Sequence, residues 1–214
     1  MVVIDPVKVV ITNYPEGQTE LVTVENNPEN EELGNREVVF GREIYIERND
    51  FMEEPVKKFF RLAPGKEVRL KGAYFITCTD VVKDENGNIT EIHCTYDPAS
   101  KGGNSPDGRK VKGTIHWVSA EYGKQVTVRL YENIVNEELG VYNEDGSLNL
   151  NPNSLTVLDN CVVEPELMSA KAYDSFQFVR NGFFCADCKD SKDGQPVFNR
   201  IVSLKSSFKL PTAK

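Results

Sequence analysis

The 214-residue sequence contains only two histidines and one tryptophan. No window approaches the roughly 18 consecutive apolar residues of a membrane-spanning helix, and the N-terminus lacks the charged and apolar regions of a secretory signal. A cytoplasmic protein with no membrane partner is expected. Five cysteines, an odd number, do not form the even framework of a small secreted fold, so reduced thiols are expected. Cys185 and Cys188 make a lone CxxC with no second pair, and His93 and His116 are far from it in sequence. That is thin material for a zinc site, and no βαβ pattern surrounds it to suggest redox chemistry.

Motifs of catalysis are missing as well. Gly-Lys occurs only at Gly65-Lys66 and Gly123-Lys124, without the further glycine spacing of a phosphate loop. No G-x-S-x-G elbow supports a hydrolase. With 33 acidic residues, a carboxylate pair picked by eye has no diagnostic value for glycoside hydrolysis.

Positive charge is scarce overall. The net charge of -8 argues against a partner held by bulk charge, because nucleic-acid binders usually carry an electrostatic footprint. Its distribution is uneven, however. From Pro15 to Glu54 twelve acidic residues stand against three arginines. From Lys57 to Lys71 the order reverses: Lys57, Lys58, Arg61, Lys66, Arg69 and Lys71 stand against Glu67 alone, a local net of +5. A solvated face is the plain reading of such a run, yet Phe59, Phe60 and Leu62 are interleaved with it, and cations mixed with aromatics suit phosphates and bases. A second cationic stretch, Arg109, Lys110 and Lys112, leads into the β-branched run that holds Trp117.

Alternation predicts many short strands. Val7–Thr12 and Glu20–Glu25 end in turn formers, and Gly41 separates Arg36–Phe40 from Arg42–Glu47 at a bulge or a change of partner. Glu53 to Leu62 has a looser pattern, predicting a helical turn or two with Pro55 near its start. Ala73–Val82 and Asn88–Tyr96 flank Asp84-Glu85-Asn86-Gly87. A three-residue loop with Gly87 in the left-handed region opposes Asp84 to Asn88 and puts Cys78 across from Cys94. Asp97–Gly108 reads as an exposed, mobile loop. Gln125–Glu132 is a strand and Asn133–Asn153 a long connection. Ser154–Val163 is again β, and Leu167–Tyr173 is a helical turn. Phe176–Arg180 and Phe183–Ala186 flank an Asn181-Gly182 turn, and Pro196–Leu204 and Ser206–Leu210 are the last strands.

More than ten short strands with little helix predict an all-β fold of barrels or sandwiches. Since roughly a hundred residues suffice for one domain, two small β-barrels with short helical turns are favoured.

The stretch Gly108-Arg109-Lys110-Val111-Lys112-Gly113-Thr114-Ile115-His116-Trp117-Val118-Ser119-Ala120 resembles the C-terminal anticodon-binding region of the glutaminyl-tRNA synthetases, class I aminoacyl-tRNA synthetases. Val3–Lys8, Arg42–Phe51, Arg61-Leu62, Gly65–Leu70, His93–Asp97, Phe176–Phe178 and Pro196–Arg200 carry the resemblance through the whole chain in one order. It implies a distal barrel at 14–117 and a proximal barrel from 1–13 with 118–214. It also implies a glutamine tRNA as partner, together with an N-terminal catalytic domain, in a monomer. No HIGH-like or KMSKS-like ATP motif is present. The resemblance therefore implies a part with no catalytic residue, metal or cofactor of its own, whose parent uses ATP and magnesium.

Residue by residue, the resemblance places the arginine for the final anticodon base at Arg61 and the glutamine for the middle U at Gln177, with Arg180 beside it. The pair around the first anticodon base falls on Arg69 and Lys71. Here the chain departs from the bacterial pattern, which has arginine at the second position; lysine lacks the planar fork and suits a phosphate better. A further contact usual in the family falls upstream of Met1. Lys57, Lys58, Lys66, Arg109, Lys110 and Lys112 are candidate phosphate contacts. The alternatives are the same module from a glutamyl-tRNA synthetase, or a stand-alone β-sandwich binding carbohydrate or protein through exposed aromatic platforms.

Overall fold

A computed structural model describes residues 1–27, 29–105, 107–136 and 139–204. The described residues form an all-β protein of fifteen strands, in which the only helices are four short 3-10 segments. No helix among them is long and apolar enough to cross a membrane. The chain divides into two compact units, Met1–Gln125 with Asn160–Pro165, and Val126–Asp159 with Glu166–Lys214.

The first ten strands are β1 (Val2–Val3), β2 (Pro6–Ile11), β3 (Thr19–Glu25), β4 (Asn35–Gly41), β5 (Glu43–Glu47), β6 (Glu67–Leu70), β7 (Phe75–Lys83), β8 (Ile89–Asp97), β9 (Thr114–Ile115) and β10 (Val118–Ser119). Seven of them form one sheet in the order β10-β5-β2-β8-β7-β6-β9. Its two edge strands are separated in sequence only by His116 and Trp117, so the sheet curls into a nearly closed barrel. Alternation makes this possible: Val7, Val9 and Ile11 of β2, Ile44 and Ile46 of β5, and Val68 and Leu70 of β6 all point inward and are buried. Trp117, fully buried, meets Phe40 edge-on at 5.1 Å between ring centroids. Gly41 marks the expected change of partner, since β4 pairs with β3 and β5 pairs with β2 and β10.

The hairpin β7–β8 has the predicted register. Asp84 N–H donates to Asn88 at 2.9 Å, Gly87 has φ +83°, and Cys78 pairs with Cys94. Thr79 is an extra residue on β7 and Thr90 one on β8; the two bulges compensate, so the cysteine pairing survives.

Two local expectations are corrected. Residues 53–62 contain no helix. Phe51 instead bridges Leu62, whose N–H donates to Asp50 O at 2.9 Å, and Lys58 has φ +71°. The segment after Asp97 is largely exposed, as expected, but it is anchored: 3-10 turns within Pro98–Gly103 are interrupted by a kink at Ser100–Gly102, and the buried Ser100 hydroxyl accepts from Phe75 N–H at 2.8 Å.

The remaining strands are β11 (Lys124–Tyr131), β12 (Leu155–Val163), β13 (Ser175–Phe178), β14 (Gly182–Ala186) and β15 (Val197–Ser203). In the second unit they run β12-β11-β15-β14-β13, with β11 and β15 parallel. β1 pairs with the last residues of β12, which belong to the first unit. β2 lies between β5 and β8, so Pro6–Ile11 share the seven-stranded sheet of the first unit. The β13–β14 turn is three residues long, Val179-Arg180-Asn181, with Arg180 at φ +67°, rather than an Asn181-Gly182 pair. A 3-10 turn at Pro165–Ser169 stands near the expected one. The strand expected at Ser206–Leu210 lies outside the described residues.

Candidate nucleic-acid interface

In the first unit the candidate side chains are gathered around the loop before β6 and the stretch before β9. Arg61 lies within that loop, next to the Leu62 that bridges Phe51. Its side chain is half-buried, with Nε 3.4 Å from Asp50 Oδ1 and Nη1 donating to Asn49 O at 3.0 Å. The preceding residue, Phe60, is 52% exposed, and Lys112 Nζ stands 4.9 Å from its ring centroid. The two segments meet so closely that a Cβ at Gly113 would lie 1.9 Å from Phe60 O. Only glycine fits there.

The same stretch holds the backbone of the next two candidates. Arg69 N–H donates to Gly113 O and Lys71 N–H to Ile115 O, both at 2.9 Å, and Trp117 Nε1 donates to Lys71 O at 3.0 Å. The fold thus brings the segments that carry Arg61, Arg69, Lys71 and Lys112 next to one another. Arg69 is partly engaged: Nε donates to Gly103 O at 2.5 Å, and its guanidinium lies 5.2 Å from the Phe75 centroid. Lys57, Lys58, Lys66, Lys110 and Lys112 are exposed.

Arg109 is differently placed. Its guanidinium spans Glu67 (2.9 Å to each oxygen), Asp97 (2.5 Å) and Asp107 (2.7 Å), and sits 5.1 Å from the Phe75 centroid on which Arg69 also rests. The Arg109 guanidinium holds the Asp97 carboxyl below its usual range. Asp107 is pushed down to about 2 by hydrogen bonds from the Ser105 hydroxyl and from the Arg109 backbone and side chain. Glu67 first, then Asp97 and Asp107, in turn raise the Arg109 pKa through their hydrogen bonds. Such an arginine clamps the segment to β6 and β8 and has little capacity left for a phosphate.

The other two candidates belong to the second unit. Gln177 is exposed on β13, directly across from the exposed Phe183 of β14. Its neighbours in sequence explain the outward aim. Phe178 stacks on Phe184 at 4.2 Å and meets Phe198 at 5.2 Å, and Phe176 meets Phe198 at 5.9 Å. With its flanking rings fixed inside, the amide between them must face out. Arg180, also exposed, is at the hairpin tip.

Sequence reasoning missed Asn49 and Asp50, which grip Arg61. Asp50 was one of twelve acids in its stretch, and nothing but burial sets it apart. The histidines take no part: His93 lies beside Glu91, and His116, buried, lies 3.3 Å from Glu47. Among the described residues, no group of three or more His, Cys, Asp or Glu side chains could hold a metal ion.

Chemically, this arrangement offers guanidinium groups held at Arg61 and Arg69, an exposed amide at Gln177 and exposed lysines. Guanidinium and amide groups make paired hydrogen bonds to base edges, and exposed lysines supply attraction to the backbone. Residues 1–97 and 114–187 each match a family described as the anti-codon binding domain of tRNA synthetases class I (E and Q). The chain is 56% identical over 216 residues to a glutamine–tRNA ligase of Clostridium kluyveri, covering 100% of this chain and 39% of that protein. It is 55% identical over 211 residues to that of Clostridium perfringens (98% and 38%) and 49% identical over 217 residues to that of Bradyrhizobium diazoefficiens (100% and 38%). It therefore spans well under half the length of these relatives. The chain belongs to the anticodon-binding domain family of the class I tRNA synthetases for glutamate and glutamine.

Proposed function

We propose that this chain is the anticodon-binding module of a glutamine–tRNA ligase, gripping the anticodon loop of glutamine tRNA while a separate catalytic domain joins glutamine to the tRNA. The observation that carries the reading is similarity along the whole chain to glutamine–tRNA ligases, in a segment amounting to 39% of one of them. ATP and magnesium belong to that catalytic half. The setting is the cytoplasm and the working form a monomer. Arg61 reads the final anticodon base, Gln177 the middle U, and Arg69 with Lys71 flank the first. Arg180 supports the Gln177 contact, and Lys57, Lys58, Lys66, Lys110 and Lys112 attract phosphates.

Single-stranded loops are read by splaying bases out and bonding their edges, which requires donors held before the RNA arrives. Arg61, held through two of its nitrogens, and Gln177, on a strand fixed by stacked rings, meet that requirement.

A binding titration of the 214-residue chain with glutamine tRNA tests the reading. Binding is expected to weaken as salt rises through counterion release; no binding at low salt overturns it. The chain alone is expected to show no glutamine-dependent ATP–pyrophosphate exchange. The matching family covers both E and Q enzymes, so the second reading is a glutamyl-tRNA synthetase module. Preference for glutamate tRNA over glutamine tRNA in the same titration would establish that reading instead.

A further inference from the structure

A carboxylate taken out of water is costly unless it is paired and hydrogen-bonded. Asp50 is 1% exposed, at the end of the 3-10 turn Arg48–Asp50. Its carboxylate lies 3.4 Å from Arg61 Nε, while the carbonyl of its neighbour Asn49 accepts from Arg61 Nη1 at 3.0 Å. The backbone around the pair is locked too. Leu62 N–H donates to Asp50 O at 2.9 Å, Met52 N–H to Leu62 O at 3.1 Å, and Leu62 itself is fully buried. On the other side, Gly113 packs against the carbonyl of Phe60. Arg61 is thereby fixed in both main chain and side chain beside the exposed Phe60, over whose ring Lys112 lies.

We propose that Asp50 is a positioning residue for anticodon reading: its buried carboxylate, with the Asn49 carbonyl, sets the plane of the Arg61 guanidinium before RNA arrives. The inference rests on the reading that Arg61 contacts the final anticodon base. Asp50 touches no RNA. It converts a long, flexible cation, able to find any phosphate, into a fixed planar fork that matches one base edge, and discrimination depends on such support from behind the contacting group. Asp50 therefore contributes to selectivity, with little effect on nonspecific affinity.

The experiment measures the affinity of the 214-residue chain for two anticodon stem-loops, one with the glutamine anticodon and one with its final base replaced, by fluorescence anisotropy at several salt concentrations. The variants are D50N, R61A, R61K and D50N/R61A. Loss of a good paired base contact reduces discrimination by roughly 5- to 150-fold. D50N is expected to lose most of what R61A loses, the double variant to lose no more than R61A, and D50N to keep the parent's salt dependence. R61K, which keeps the charge without the fork, is expected to bind both loops with nearly parental average affinity and to discriminate poorly.

A folded D50N that discriminates like the parent, while R61A does not, overturns the positioning role alone. R61A discriminating like the parent overturns the underlying reading as well. Should D50N fail to show the parent's circular dichroism, R61K decides: full discrimination by R61K overturns the proposal, and its loss supports it.

Discussion

The two cationic stretches, Lys57–Lys71 and Arg109–Lys112, read alike as sequence, each a cluster of lysines and arginines beside aromatic residues. In the fold they diverge. Arg109 is enclosed by three carboxylates, whereas Arg61 is held from behind by one carboxylate and a carbonyl. The second arrangement orients a charge, and the first neutralises it. What distinguishes the two arginines is thus the set of partners the fold brings to each, three carboxylates for Arg109 and a buried carboxylate with a backbone carbonyl for Arg61, and a charge count shows neither.

The largest effect is expected at Trp117, which is fully buried in the barrel of the first unit. Trp117→Ala is expected to destabilise the chain by about 3–5 kcal/mol, the usual loss for a buried aromatic, measured by urea unfolding. Unchanged stability would end the assignment of Trp117 to the core. An independent yardstick comes from the second unit: Gln177→Ala is expected to lower discrimination at the middle base by about 1–3 kcal/mol. An equal loss with every anticodon would make Gln177 a positioning group instead.

Arg109 can be separated from Arg61 by pH. Asp97 and Asp107 are depressed in the folded state, Asp107 to about 2. Depressed carboxylates contribute stability that is fully present above the unfolded-state value, about 3.9, and is lost as pH falls through the folded-state value. The parent is therefore expected to lose unfolding midpoint as pH falls from about 4 towards 2, and Arg109→Met to lower the midpoint at pH 7 while flattening that acid limb. A parental acid limb in Arg109→Met would remove Arg109 as its cause. The smallest effect belongs to the unheld cations. Lys57→Ala and Lys58→Ala are each expected to reduce the slope of log affinity against log salt by about one per phosphate contact, uniformly across anticodons; an anticodon-dependent change would move either residue into the reading group.

The strands of this fold were legible where alternation is strict. β2 and β5 read directly from their buried Val7, Val9, Ile11, Ile44 and Ile46, and the β7–β8 turn gave the Cys78–Cys94 pairing because two bulges compensate. The parallel pairings of β2 with β8 and β11 with β15 were not legible, since no local turn encodes a crossover. The supposed helical turns at 53–62 failed for a related reason: a bond from Leu62 back to Asp50 outweighs weak local propensity. At the candidate site, Arg61 and Gln177 were singled out by resemblance, and the burial of Asp50 behind Arg61 was not legible. Nor were the partners of Arg109, because Glu67 is 42 residues away and becomes its neighbour only through the sheet.

The barrel of the first unit closes at one place, where β9 covers the exposed flank of β6 and β10 that of β5. Both closing strands come after every other strand of that sheet in the chain. During synthesis the sheet therefore waits, with two unpaired edges able to capture a neighbouring chain, until Ser119 has left the ribosome. Trp117, the only tryptophan, lies between these two strands, so its fluorescence times the moment at which β9 and β10 cover β6 and β5.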